Sequence, residues 1–266
     1  MAILSKFYKK RSKMRFFQHF LWLFFAFFSV AQAQKSEFGY GQHEGLSYRF
    51  LGPPCQLEVP GAKFPLVIFL HGAGERGDDR ELPLKHIEHL FLDSLTQMQY
   101  PCFVLVPQCP KAYRWVETDW TALAHRQPEQ ASVPMSQLIS LIARWRRDPR
   151  VDTQRLYLMG LSMGGFGTWD LLARRPEWFA AGIPVCGGGD EQTAGRLLSI
   201  PIWAFHGKLD KVVKVSRSQN MVKALRQKGG KKIQYTEYPD VQHDSWKRAF
   251  REPKLMPWLF GQCRAD

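Results

Sequence analysis

The chain has 266 residues, 45% hydrophobic and 23% charged, enough for one large core, which excludes a disordered protein outside the N-terminus. Its formal charge of +13 at pH 7 raises a nucleic-acid or membrane reading. Six of the 37 basic residues (Lys6, Lys9, Lys10, Arg11, Lys13 and Arg15) lie in an acid-free leader, however, and without them 31 basic residues face 24 acidic ones, a balance of +7.

The leader comes first. Its basic residues run into "FLWLFFAFFSVAQAQ" (20–34), which ends in Ala31-Gln32-Ala33. A basic start, a short apolar run and a small-x-small end predict a signal peptide over 1–33, cut after Ala33. Met14 is an alternative start. The mature chain, 34–266, is then a single secreted or periplasmic domain. The rival is an uncleaved anchor, but the run from Phe20 to Ala31 is shorter than the roughly 20 residues a spanning helix needs. No cysteine sits at or just after the cut to take a lipid. Beyond Gln34, β-rich runs alternate with helical patterns. Strands are predicted over 47–51, 66–70, 103–106, 156–159, 182–185, 202–205 and 233–237. Helices are predicted over 83–95, 134–145, 163–174, 217–227 and 257–260 or a little longer. Several strand runs are continuously apolar, as strands buried on both faces require. The alternation predicts an α/β fold with a mostly parallel sheet, whose ligands sit beyond the carboxyl ends of the strands. Five cysteines (55, 102, 109, 186, 263) allow at most two disulfides. Cys102 and Cys109 flank one extended run, about 23 Å apart, and should not pair. Buried thiols are the commoner role.

The loops after strands carry the chemistry. "YLMGLSMGGFGTWDLL" (157–172) passes from an apolar run through Gly160-Leu161-Ser162-Met163-Gly164 into a helical pattern. A G-x-S-x-G between strand and helix is a nucleophile elbow, in which glycines make room for a strained turn that lifts the hydroxyl clear of the sheet. The bland reading is a tight turn. Serine needs a base. His243, in "YPDVQHDSW" after the last predicted strand, is the candidate. His71 and His206, each between a strand and a glycine, read as loop architecture. His86 and His89 in "KHIEHL" read as a helix face rather than a metal pair. His43 has no context and His19 belongs to the leader. The base needs an acid to orient it. Asp210 in "HGKLDKVV" is favoured, with Asp190 in "CGGGD" the runner-up. "HGAGERG" (71–77) after the "LVIFL" strand offers a backbone donor at Ala73, paired with the Met163 N–H, for an oxyanion. Glu75 and Arg76 read as a loop-bracing ion pair. Trp115, Trp120 and His125 are candidate substrate contacts, and buried packing is an equal reading for the two tryptophans.

With "FLHGAGERG", "VPQCP", "WVETDW", "GLSMGGFGTWDLLARRPEWFAA", "VCGGGD", "WAFHGKLDKVV" and "YPDVQHDSW", the chain resembles the exported α/β-hydrolases of the esterase and "predicted peptidase" type. These are relatives of dienelactone hydrolases, polyhydroxybutyrate-depolymerase-like esterases and feruloyl esterases. The resemblance spans roughly residues 46 to 260. It implies an α/β-hydrolase fold with helices on both faces of the sheet and no large lid. It also implies Ser162 as nucleophile, Asp210 as acid, His243 as base and an oxyanion site at Ala73 and Met163. The activity it implies is ester hydrolysis through an acyl-enzyme, without metal or organic cofactor, with a small or polymer-derived ester as partner. A peptidase of the same fold is the alternative. A non-catalytic binding protein on the same scaffold is disfavoured because all three candidate groups are present. The basic runs "ARWRRDPR" and "RQKGGKK" read as solvated faces, not a nucleic-acid surface.

Overall fold

The strands of the computed structural model are β1 (Gly39–His43), β2 (Leu46–Leu51), β3 (Phe64–Leu70), β4 (Phe103–Gln108), β5 (Val151–Leu161), β6 (Ala181–Val185), β7 (Ile202–Gly207) and β8 (Ile233–Tyr238). They form one sheet in the order β1-β2-β4-β3-β5-β6-β7-β8. β2 runs antiparallel to β4, and every pair from β4 to β8 is parallel. The structure describes residues 38–264. The predicted signal peptide, its cleavage point and the rival anchor lie outside the described residues.

The sequence dictates the parallel core. β3, β4 and β7 are buried at every position, so each needs cover on both faces. Side chains of a strand alternate between faces. Leu66, Ile68, Leu70, Leu156 and Leu158 share a core with Leu138, Leu141 and Ile142 of α3 (Val133–Trp145) and Phe166, Trp169 and Leu172 of α4 (Met163–Arg174). The alternate residues face the other way. Phe69 meets Phe250 at 6.0 Å between centroids, Tyr157 meets Phe260 at 5.4 Å, and Trp203 meets Trp258 at 5.4 Å. Trp258 and Phe260 belong to α7 (Leu255–Phe260), and Phe250 follows α6 (Trp246–Ala249). Each such side chain buried contributes about 2 to 3 kcal/mol.

Register sets the functional edge. Leu70 of β3 stands beside Gly160 of β5, Leu161 beside Val185 of β6, and Val185 beside Phe205 of β7. The chain therefore leaves four neighbouring strands at one edge. Between β6 and β7 lie only loops and a short 3₁₀ turn, Glu191–Leu197, with no room for a lid domain. All five cysteines are free thiols, with Cys102, Cys109 and Cys186 buried.

Three expectations change. The helix predicted over 83–95 is a 3₁₀ turn (Leu82–His86) followed by α1 (Glu88–Phe91) and α2 (Ser94–Gln99). Asp93 breaks it, because its carboxylate takes the Thr96 amide at 2.8 Å and starts a new helix. β1 was not predicted, because it buries no residue and so carries no apolar signal. It joins β2 through Glu44 and Gly45, both at positive φ, the backbone of a two-residue hairpin turn. β5 begins five residues earlier than predicted, since four of its first five residues are only partly buried.

Candidate active site

Ser162 stands between β5 and α4 with φ 53° and ψ −117°. That conformation is strained for a non-glycine residue, by about 1 to 3 kcal/mol. Two backbone bonds hold it. The Ser162 amide donates to Val185 O at 2.9 Å, and the Phe166 amide donates to Ser162 O at 3.1 Å. The flanking glycines are steric necessities. A Cβ on Gly164 would overlap the Leu70 carbonyl, and one on Gly160 would overlap the Gly164 carbonyl.

The hydroxyl meets a histidine. Ser162 Oγ is 2.9 Å from His243 Nε2, and His243 Nδ1 is 2.7 Å from Asp210 Oδ2. Asp210 follows β7, and its other oxygen accepts the amides of Val212 and Val213 at 2.8 and 2.9 Å. Burial pushes this carboxyl upward, but hydrogen bonds from His206 and His243 outweigh it and hold the group well below the usual carboxylate range. Asp190, the runner-up, is engaged elsewhere. It accepts the amides of Gln127 and Gln192 and pairs with Arg126 at 3.5 Å.

Ala73 opens a short 3₁₀ turn, Ala73–Glu75, directly after His71-Gly72. Met163 is the first residue of α4, where amides have no intrahelical partner. His71 fixes the loop. Its Nδ1–H donates to Gly72 O at 2.7 Å and its Nε2 accepts the Cys109 amide at 2.9 Å. Burial draws it down to about 4, so it is neutral and can accept that amide. Glu75 does not pair with Arg76. Its partner is His86, at 3.2 Å, because the turn aims the carboxylate inward towards the 3₁₀ turn that carries His86. Burial raises Glu75, but the hydrogen bond and charge of His86, with His71 and the Gly72 backbone, together outweigh it and lower the group. Arg76 instead donates to Ala73 O at 3.0 Å.

The candidate substrate contacts separate. Trp115 is fully buried, packs on His71 and donates its indole N–H to His71 O at 3.1 Å, so it is a strut of the loop and not a substrate contact. Trp120 is half-buried, with the Arg114 guanidinium 4.5 Å and that of Arg76 6.0 Å from its ring. His125 lies 5.8 Å from the ring of Phe166, one helical turn beyond Ser162. Arg217, a buried guanidinium that sequence reasoning missed, donates to His125 Nδ1 and to Gly189 O. Burial, then the Arg217 charge, lowers His125 to about 4. Neutral and bonded at Nδ1, His125 carries its proton on Nε2. His206 was also missed as a partner of Asp210, at 3.2 Å. The only signal for it was its position four residues before that acid.

Ligand-type atoms of Cys186, Asp210 and His243 lie within 4.8 Å of one another. Asp210 and His243 already bind each other, and burial raises the Cys186 thiol far above its ordinary value. The arrangement is that of a hydrogen-bonded acid–base pair with a neutral thiol behind it, not of an open ligand set.

A family model described as phospholipase/carboxylesterase matches residues 60–254. A solved thermostable esterase is 36% identical, with a TM-score of 0.77, over 86% of this chain and 64% of that one. A secreted protein of Arthroderma benhamiae is 24% identical over 74% of this chain and 23% of that protein. A bifunctional acetylxylan esterase/xylanase of Neocallimastix patriciarum is 28% identical over 32% of this chain and 13% of that protein. The chain thus spans a quarter or less of the two curated relatives. With the strand order, these likenesses identify the fold as that of the α/β-hydrolases.

Proposed function

Because this chain belongs to the phospholipase/carboxylesterase family, we propose that it hydrolyses carboxylic esters through an acyl-enzyme on Ser162. One observation carries the reading: the unbroken contact from Ser162 Oγ to His243, at 2.9 Å, and from His243 to Asp210, at 2.7 Å. His243 Nε2 takes the hydroxyl proton as Oγ attacks the ester carbonyl. Asp210 holds the imidazole with Nδ1–H towards it and offsets the imidazolium charge. The amides of Ala73 and Met163 stabilise the tetrahedral oxyanion. His243 then protonates the departing alcohol. Water, deprotonated by the same nitrogen, releases the acid and restores Ser162. Acid stops the reaction because an imidazolium cannot accept the proton.

Export and a polymer-derived substrate belong to the same reading. The leader supports export, as does the secreted relative, and the acetylxylan esterase/xylanase supports a polymer-derived ester. Acetyl groups on polysaccharide fragments are accordingly the first substrates to test, with Trp120 and His125 as the candidate contacts. Ser162→Ala should lower turnover of p-nitrophenyl acetate by at least about 10⁴-fold and leave the melting temperature unchanged. Retained turnover in that variant would refute the mechanism. Assaying acetyl-sugar, feruloyl and hydroxyalkanoate esters beside a peptide control identifies the substrate class. Preference for the peptide would turn the reading to a peptidase.

A further inference from the structure

Asp210 has two oxygens and four donors. Oδ1 takes the amides of Val212 and Val213, while Oδ2 takes both His243 Nδ1, at 2.7 Å, and His206 Nε2, at 3.2 Å. The mechanism above uses only the His243 contact. His206, near the end of β7, is wholly buried. Its Nε2 faces two acceptors, Asp210 Oδ2 and Val213 O at 3.1 Å. Its Nδ1 is 2.8 Å from Ser218 Oγ, which lies 3.0 Å from Gly187 O. A nitrogen between a carboxylate and a carbonyl must carry a proton. The Ser218 hydroxyl then donates to Nδ1 or, if Nδ1 is protonated too, to Gly187 O. In either state the His206 Nε2–H points at the oxygen that holds His243.

We infer that His206 is a positioning residue for the acid–base pair: its Nε2–H shares the charge on Asp210 Oδ2 and so sets how firmly that oxygen holds the His243 imidazolium. The inference rests on the esterase reading. A hydrogen bond to a carboxylate stabilises its charge and weakens it as an acceptor for other donors. The Asp210 side chain is fully shielded from solvent, so water cannot replace a missing donor. Without His206, the charge on Oδ2 falls on His243 alone. The imidazolium is then held more strongly, keeps its proton to higher pH, and is a working base over a narrower range. Other groups face His243 as well: the Ser162 hydroxyl, the Cys186 thiol at the end of β6, Asp244 next in the chain and the Trp246 ring at 5.4 Å. Ser218 of α5 (Ser216–Gln227) stands behind His206.

Three substitutions separate positioning from packing. His206→Phe removes both nitrogens at similar volume. His206→Asn can reach only where Nδ1 stands. His206→Gln brings an N–H to where Nε2 stands. NMR titration of the His243 ring needs no substrate, and the acid limb of kcat/KM on p-nitrophenyl acetate gives the catalytic counterpart. The Phe and Asn variants should move both midpoints up by about half to one pH unit, the scale of one neutral hydrogen bond. The Gln variant should restore most of the shift. If Phe and Asn titrate as the parent does and lose only stability, the inference falls. Should the Phe variant not fold, the Asn and Gln variants decide the matter. A parent protein that turns over no ester would sink the functional reading, while the NMR comparison would still decide the role of His206.

Discussion

Two loops of this protein begin with the same dipeptide, His-Gly. His71-Gly72 follows β3 and His206-Gly207 closes β7, and both histidines are wholly buried. Their surroundings differ in sign. Nε2 of His71 accepts the amide of Cys109, whereas Nε2 of His206 faces a carboxylate and a carbonyl and must donate. The first loop therefore needs a neutral ring with a lone pair, and it presents backbone amides. The second needs an N–H, and it presents a charged side chain. The partners around a buried histidine, not the motif that contains it, assign its role.

The sharpest way to break this contrast is to remove a charge from each loop. On the proposed chemistry, Asp210→Asn should lower kcat on p-nitrophenyl acetate by about 10⁴-fold, because the imidazole loses its tautomer and its counter-charge. Glu75→Gln, which leaves the amide donors in place, should cost no more than about tenfold. Comparable losses would erase the distinction between a chemical loop and a shaping one. The glycines come next. A Cβ on Gly207 would overlap the carbonyls of Val241 and Gln242, which are backbone and cannot rotate away. One on Gly72 meets only the ends of the Leu161 and Glu75 side chains, at 2.8 and 3.0 Å. Urea melts should show Gly207→Ala losing about 3 kcal/mol or more, and Gly72→Ala about 1.

Acid gives the most selective effect. His71 is lowered from 6.5 to about 4 in the folded chain, so between those values the unfolded chain binds a proton that the folded one does not. Its contribution to stability is complete above pH 6.5 and is lost as pH falls towards 4. Asp210, lowered from 3.8, contributes fully above 3.8 and loses its contribution only at more acid pH. Between pH 7 and pH 4.5 the parent should therefore lose about 2 kcal/mol more than His71→Gln in paired urea melts. His125, also lowered to about 4, acts equally in both proteins and cancels. Equal losses would mean that His71 does not hold its loop through a neutral ring.

Signals that lie within a few neighbouring residues were legible in the sequence. The apolar runs of β3, β4 and β7 announced their own burial, and the glycines around Ser162 announced a crowded turn. The order of Ser162, Asp210 and His243, each after a strand, named three groups that meet at one edge. Long-range partners outside that order were not legible. Glu75 and His86 are eleven residues apart, and the Trp115 indole reaches His71 O across 44 residues. Nothing local distinguishes such a strut from a substrate wall. Likewise, a lone aspartate at position 93 was enough to divide one amphipathic pattern into separate turns.

Ser162 gives its amide to β6 through Val185 and its carbonyl to α4 through Phe166, so its backbone has no slack of its own. On the proposed chemistry, accommodating a bulkier acyl group falls to the segments that carry His125 and Trp120. His125 rides on a segment tied down by Gln127 and Arg126 to Asp190, and Trp120 stands between two guanidinium groups. Under that proposal, selection for new substrates can reshape those anchors while the Ser162 hydroxyl stays where sheet and helix put it.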